Sequence, residues 1–155
     1  MFEWLEITPV AMWVGESLWG YPTMLGLHAV GLATAVGMFV MRDLRLMGMF
    51  DGISYESVGS LNKLGWIGLV INAISGCFLF SSQATYFVTH TAFLLKITMI
   101  FLAAITAGII QHKMRVGAQQ WDSGIETIGS VRGLALLSTA LWMGAIIAGR
   151  LIAYL

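Results

Sequence analysis

Four long runs of apolar residues constrain this chain more than any other feature of its sequence. A helix needs about 20 residues to cross the roughly 30 Å hydrocarbon core of a bilayer. None of the runs shows the strict two-residue alternation of a transmembrane strand, so we predict helices. The predicted spans cover about residues 17–41, 64–80, 86–111 and 133–153.

Composition supports a membrane location. The chain is 58% apolar and only 10% charged, whereas soluble domains carry about a quarter charged residues. We therefore predict an all-α integral membrane protein, a single four-transmembrane-helix bundle over residues 1–155. A short surface helix is predicted over Pro9–Glu16. The start of the chain, Met1–Glu6, is acidic where a signal peptide is basic, so the first span is expected to be retained.

The basic residues predict the orientation of the bundle. Six of the eight Lys and Arg residues lie between spans one and two or between spans three and four. The connection between spans two and three is uncharged, and the N-terminus carries only acidic residues. The positive-inside rule then places both longer loops in the cytoplasm and both termini on the outer, periplasmic side of a bacterial inner membrane. These six residues are Arg42, Arg45, Lys63, Lys113, Arg115 and Arg132.

His28 is the strongest candidate for chemistry, because it lies inside span one. Ionisable residues within a membrane are costly and mark functional sites by default. Gly31 and Ala35 follow at i+3 and i+7, which leaves clearance on the histidine face for a flat macrocycle. The alternative is that the small residues of this helix pack against a neighbour and that His28 only hydrogen-bonds to that neighbour.

His90 lies near the outward end of span three, at a depth that matches His28 under the predicted orientation. If spans one and three are in contact at about 8–10 Å, the two imidazoles could ligate the iron of haem b between them. The alternative for His90 is an ordinary interfacial histidine at a helix start. His112 lies at the opposite end of span three and cannot share that site. We expect an interfacial role for His112, with an inner-side site that includes a methionine ligand as the less favoured alternative.

Two basic residues are candidates to bind the propionates of such a haem. Arg150 ends span four, and an Arg side chain can bind a carboxylate through two hydrogen bonds. Its alternative is a helix-end charge at the lipid headgroups. Lys96 lies well inside span three. It could neutralise a buried anion such as a propionate, pair with Glu16, or extend to the membrane surface.

Other classes of chemistry lack their sequence patterns. The spans contain no carboxylate cluster, no Ser/His/Asp set and no Gly-rich phosphate loop. The only cysteine, Cys77, lies in an apolar run and is interpreted as a packing residue. The formal net charge of zero gives no indication of nucleic-acid binding.

Several segments resemble a family of small, uncharacterised four-helix bacterial inner-membrane proteins. The segments Trp19–His28 (WGYPTMLGLH) and Asp43–Gly48 (DLRLMG) carry the resemblance, and Phe93–Lys96 (FLLK) and Leu141–Arg150 (LWMGAIIAGR) agree with it. More loosely, the layout is similar to membrane b-type cytochromes and to copper-resistance membrane domains. The resemblance implies a four-helix fold and no particular activity. It gives weight to His28, Asp43, Arg45, Lys96 and Arg150.

The function predicted from these observations is a haem-b-binding electron-transfer subunit rather than a stand-alone enzyme. His28 and His90 would be the axial ligands, with Arg150 and Lys96 at the propionates. The expected partners, besides the lipid bilayer, are a membrane or periplasmic redox protein or quinol. The alternative function is a non-catalytic accessory subunit of a larger membrane complex, and a third is a metal or small-solute permease.

Overall fold

The computed structural model describes residues 2–122, 129–152 and 154, and the ordered elements of this part of the chain are helices. Two short helices precede the first long one, and a third short helix separates the second and third long helices. In chain order the helices are α1 (Glu3–Glu6), α2 (Pro9–Glu16), α3 (Gly20–Leu46), α4 (Tyr55–Ser82), α5 (Ala84–Thr89), α6 (Thr91–Asp122) and α7 (Gly129–Leu151).

Four of these helices are long and apolar enough to cross a membrane, which confirms the predicted four-helix membrane protein. The qualifying segments carry large apolar side chains on their outward surfaces, as lipid-facing helices do. They are Gly20–Leu46, Tyr55–Ser82, Thr91–Gly117 and Val131–Leu151. The helix predicted over Pro9–Glu16 is also present, as α2.

The four long helices form a ring in which each helix packs against its neighbours in the sequence. α3 packs against α4 and α7, and α6 packs against α7 and α4. Thus α3 and α6, which carry spans one and three, lie at opposite corners of the ring. Their backbones are not in the close contact that the shared haem site presupposed, because short connections favour antiparallel packing of consecutive helices. Side chains still join the two helices, as between Arg42 and the Ala107 carbonyl.

Several helices extend beyond the predicted spans, because local capping groups continue them into polar sequence. α3 continues to Leu46. Gly48 follows the helix with a φ of +97°, which allows the N–H groups of Gly48 and Met49 to donate to carbonyl oxygens of the last turn. α4 begins at Tyr55, where the Ser54 side chain accepts a hydrogen bond from the Ser57 N–H. Residues 55–62, expected in a connector, are therefore helical.

Span three differs from its prediction at both ends. The chain forms the short helix α5 and leaves helical geometry at His90, so α6 starts at Thr91 rather than near Tyr86. At its other end α6 continues to Asp122, whose carboxylate accepts hydrogen bonds from the backbone N–H groups of Tyr55 and Glu56 at the start of α4. The rest of the connection predicted between spans three and four includes residues 123–128, which lie outside the described residues.

The closest helix contact joins α3 and α4 through glycine. A Cβ on Gly31 would lie 2.6 Å from the backbone nitrogen of Asn72, and one on Gly68 would lie 2.6 Å from that of Ala35. A Cβ on Gly65 would lie 2.8 Å from the Phe39 ring, which packs against this glycine. The two backbones can approach this closely only because these positions lack side chains.

The interior of the bundle holds two apolar layers. The middle layer contains aromatic rings, with Phe39 stacked on Trp142 at 5.3 Å between centroids and packed edge-on against Trp66. The second layer, near the end where α3 stops and α7 starts, is built around Leu46, Ile110 and other aliphatic residues. A buried polar cluster, described below, lies next to the aromatic layer.

The glycine contact generates a test within one helix. Gly31→Ala should destabilise the protein by on the order of 1–3 kcal/mol, because the added methyl group forces α3 away from α4. Gly37→Ala in the same helix is the matched control, since a Cβ there meets no atom within 4 Å. Thermal melting of the purified protein in detergent measures both effects. Equal melting temperatures for the two variants would contradict the close packing.

Candidate functional site

His28 is held by α4 through a reciprocal pair of hydrogen bonds. Its Nδ1 lies 3.0 Å from the backbone oxygen of Asn72, and the Asn72 side-chain Nδ2 donates to the backbone oxygen of His28 at 2.8 Å. The hydroxyl of Ser75 lies 3.3 Å from the same Nδ1. The ring edge rests on Gly76, where a Cβ would lie 3.1 Å from Cε1.

This geometry assigns the proton on the imidazole. A backbone carbonyl can only accept a hydrogen bond, so Nδ1 must carry the hydrogen. In the neutral ring Nε2 then keeps its lone pair, and it has no hydrogen-bond partner among the described residues. A ring nitrogen fixed by a carbonyl, with the other nitrogen free, is the arrangement typical of metal-ligating histidines. The same contact also satisfies the alternative in which His28 only hydrogen-bonds to its neighbouring helix.

Lys96 is half-buried on α6 and lies near enough to His28 to interact with it electrostatically. Its aliphatic stem packs on α7 at Gly149, where a Cβ would lie 3.3 Å from Cδ. Among the described residues no carboxylate lies within ion-pair distance of Lys96, so the alternative pairing with Glu16 does not occur there. Lys96 therefore brings a positive charge, without a carboxylate partner in the described chain, into electrostatic range of the imidazole. We call His28, Asn72, Ser75 and Lys96 the His28 site.

His90 has different neighbours. It ends α5 in extended geometry, and its ring lies 5.0 Å from that of Tyr86. Its Nδ1 is buried and has no hydrogen-bond partner in the described part of the chain. Phe80, Phe87 and Phe93 form an aromatic cluster beside it. Both histidines lie toward the start of parallel helices at one end of the bundle, but the contacts of His28 are to α4 and those of His90 are to α5.

The other two candidates lie at the surface. Arg150 is exposed, and it donates to the hydroxyl of Tyr154 at 3.1 Å while its guanidinium lies over the same ring. This placement matches the helix-end alternative for Arg150, and no described contact joins it to the His28 site. His112 is exposed near the opposite end of α6.

The most polar site of the bundle joins Asp43, to which the resemblance gave weight, to Arg42, which was predicted only as a charge between spans one and two. Arg42 and Asp43 are both fully buried, and the Arg42 Nη2 lies 2.6 Å from the Asp43 Oδ1. Arg42 also reaches the Asn62 side chain of α4 at 3.4 Å, the Ala107 carbonyl of α6 at 3.3 Å and the Ser138 hydroxyl of α7 at 3.4 Å. One guanidinium thus contacts all four long helices.

We call Arg42, Asp43, Asn62, Ser138 and Thr139 the Arg42 cluster. The placement of Arg42 and Arg45 in a cytoplasmic loop is corrected by this finding, because both lie in the last turns of α3 and are buried. Arg45 donates to the Ile53 carbonyl and to Asp51, which folds the following loop onto α3. One sequence feature could have indicated this site. Arg42 and Asp43 directly follow an apolar run, and two adjacent opposite charges can neutralise each other inside a bundle.

The described residues contain no group of three His, Cys, Asp or Glu side chains placed to hold a metal ion. That finding does not bear on haem, because the porphyrin supplies four nitrogen ligands and the protein supplies only one or two. The permease alternative has no additional structural observation in its favour.

Comparison of the chain with protein-family models, with curated proteins and with solved structures gives no match. The resemblance to small four-helix membrane proteins and to b-type cytochromes therefore stays a prediction. The interpretation of both polar sites depends on their geometry.

The Arg42 cluster generates a prediction about stability. Asp43→Asn should destabilise the bundle by on the order of 3–5 kcal/mol, because it leaves the buried Arg42 charge without its partner. The double variant Arg42→Met/Asp43→Asn should lose less than the sum of the two single variants, as expected for coupled groups. Melting in detergent gives both values.

Asp51→Asn is the matched control, because it removes the partner of Arg45 at a side chain that is 86% exposed. Exposed ion pairs contribute little to stability, so this variant should melt close to the wild type. A melting temperature of Asp43→Asn that equals that of Asp51→Asn would refute a structural role for the buried pair.

Proposed function

We propose that this chain is a haem-b-binding electron-transfer subunit of a bacterial inner membrane, with His28 as an axial ligand of the iron. The observation that carries the proposal is the hydrogen bond from the His28 Nδ1 to the Asn72 carbonyl, which leaves Nε2 without a hydrogen-bond partner among the described residues. The hydrogen bond also makes Nε2 a stronger ligand, because it draws the Nδ1 proton toward the carbonyl oxygen.

The residues of the His28 site fit a haem. Lys96 supplies a positive charge without a carboxylate partner in the described chain, which suits a propionate within the membrane. The small residues Gly76 and Gly149 lie directly beside His28 and Lys96. Haem supplies one-electron transfer when it is bound, and the chain supplies its ligand, its charge balance and its apolar surroundings.

His90 is our proposal for the second axial ligand. Its buried Nδ1 lacks a hydrogen-bond partner among the described residues, and α6 faces α3 across the interior of the ring. Bundle cofactors are held by side chains from facing helices, and His90 directly precedes α6, so it can share a cofactor with a ligand on α3. Arg150 is proposed as a propionate partner only if it exchanges its contact with Tyr154 for one with the cofactor.

The charge distribution of the fold supports the proposed orientation. Lys63, Lys113, Arg115 and Arg132 lie on the segments at which α3 and α6 end and α4 and α7 begin, so they share one end of the bundle. The acidic residues of α1 and α2 lie at the start of α3, toward the other end. We propose that the basic end is cytoplasmic. The His28 site would then lie in the outer half, within reach of a periplasmic redox protein or quinol.

The ligand assignment predicts a graded response. Protein purified after expression with adequate haem supply should give a b-type pyridine haemochrome. His28→Ala should abolish it, because α3 offers no other imidazole, and His90→Ala should abolish it or convert a low-spin spectrum to high-spin. Lys96→Met should lower the haem-to-protein ratio without changing the spectral shape, since it removes a charge and no ligand.

His112→Ala is the matched control, because it removes an exposed histidine at the other end of α6. Its spectrum should equal that of the wild type. Free imidazole added to His28→Gly should restore the spectrum, which separates loss of a ligand from loss of the fold. Loss of haem in His112→Ala with retention in His28→Ala would overturn the site. Haem-free wild type would overturn the function and favour the accessory-subunit alternative.

A further inference from the structure

Several polar atoms near the Arg42 cluster are buried and have no hydrogen-bond partner among the described residues. The acceptor is the Asp43 Oδ2, the donors are the Asn62 Nδ2 and the Trp142 Nε1, and the Thr139 hydroxyl can act as either. The side chains of Asp43, Asn62 and Trp142 are each at least 98% buried. An unsatisfied buried polar atom costs on average more than a lost hydrogen bond, so natural proteins rarely leave several together.

The four side chains are linked through Arg42 and the residues that it contacts. Arg42 touches both Asp43 and Asn62. The Ser138 and Thr139 hydroxyls both interact with the Asp43 carboxylate, and neither reaches hydrogen-bond geometry with it. Trp142 lies one helical turn beyond Ser138, which Arg42 also contacts. The rings of Trp142 and Phe39 are stacked, and the Arg42 guanidinium lies 5.1 Å from the centre of the Phe39 ring.

We propose that the Arg42 cluster is a binding site for internal water. Water can accept from the N–H groups of Asn62 and Trp142 and donate to the free oxygen of Asp43, so it satisfies donors and acceptors with one ligand. An internal water typically needs two to four such polar partners. A metal cation would meet two N–H donors that it cannot use, and an anion would meet the Asp43 carboxylate.

The proposal explains how a charged pair persists in a membrane interior. Apart from its contact with Asp43, each hydrogen bond of Arg42 is long, at 3.3–3.4 Å. The Oδ2 of Asp43 has no hydrogen-bond partner in the described chain. Bound water supplies the missing hydrogen bonds of the Asp43 Oδ2, the Asn62 Nδ2 and the Trp142 Nε1, and so connects α3, α4 and α7. This site is independent of the haem proposal, since it uses none of the residues of the His28 site.

The indole protons report bound water directly. Protein deuterated on carbon, carrying ¹⁵N-labelled tryptophan and held in lipid nanodiscs, allows cross-relaxation from the water resonance to each indole N–H to be measured by NMR. The indole signal of Trp142 is assigned by its loss in Trp142→Phe. We expect its cross-relaxation with water to have the sign of a water molecule that stays bound for longer than the rotational tumbling time of the protein. The matched internal control is Trp66, whose indole N–H is hydrogen-bonded to Gln111 and should show no such transfer.

Thr139→Val keeps the shape of the side chain and removes one polar partner of the water. It should reduce the Trp142 transfer and leave the Trp66 signal unchanged, and Ser60→Ala, a change on the exposed part of α4, should alter neither. A resolved Trp142 signal without water transfer in the wild type would overturn the proposal. Transfer that is equal at Trp66, or that is unaffected by Thr139→Val, would also overturn it.

Discussion

The ion pair between Arg42 and Asp43 is the interaction on which the arrangement of the four helices depends. A guanidinium and a carboxylate with no exposed surface are tolerated only if protein groups replace their hydration. Arg42 draws those groups from α4, α6 and α7, while Asp43 follows it on α3. The requirement to surround one charged pair therefore favours the rotation of each helix that turns these polar groups to the interior, next to the aromatic layer.

A second constraint, the glycine contact of α3 with α4, shapes the His28 site. Gly31 lies against the backbone of Asn72, so the two helices are close enough for His28 and Asn72 to exchange hydrogen bonds. With a larger residue at position 31 the carbonyl of Asn72 would move away from the His28 Nδ1. Packing thereby determines which imidazole nitrogen is free, and the proposed ligand chemistry depends on that choice.

Hydropathy was sufficient to predict the membrane fold, because the length of an apolar run maps directly onto the thickness of a bilayer. It could not predict the helix ends, because hydropathy averaged over a window counts Arg42 only as a charged residue that ends a span. The burial of Arg42 depends on Asn62 and Ser138, which are distant in sequence and carry no pattern that links them. His28 was identifiable as an ionisable residue in an apolar run, whereas no sequence pattern links it to its partner Asn72, which lies 44 residues further along the chain.

The central claim, that His28 binds iron through Nε2 while Nδ1 donates to a carbonyl, is tested most directly by pulsed electron paramagnetic resonance of the oxidised protein labelled with ¹⁵N-histidine. The account predicts a ferric signal with hyperfine coupling to a directly bound histidine nitrogen, and a weaker coupling to the remote nitrogen of the same ring that bears an exchangeable proton. The hyperfine coupling to the iron-bound nitrogen should change when His28 is replaced by glycine and unlabelled imidazole is supplied, because the bound nitrogen is then ¹⁴N. A ferric haem signal without coupling to any histidine nitrogen, or coupling unchanged by that replacement, would contradict the account.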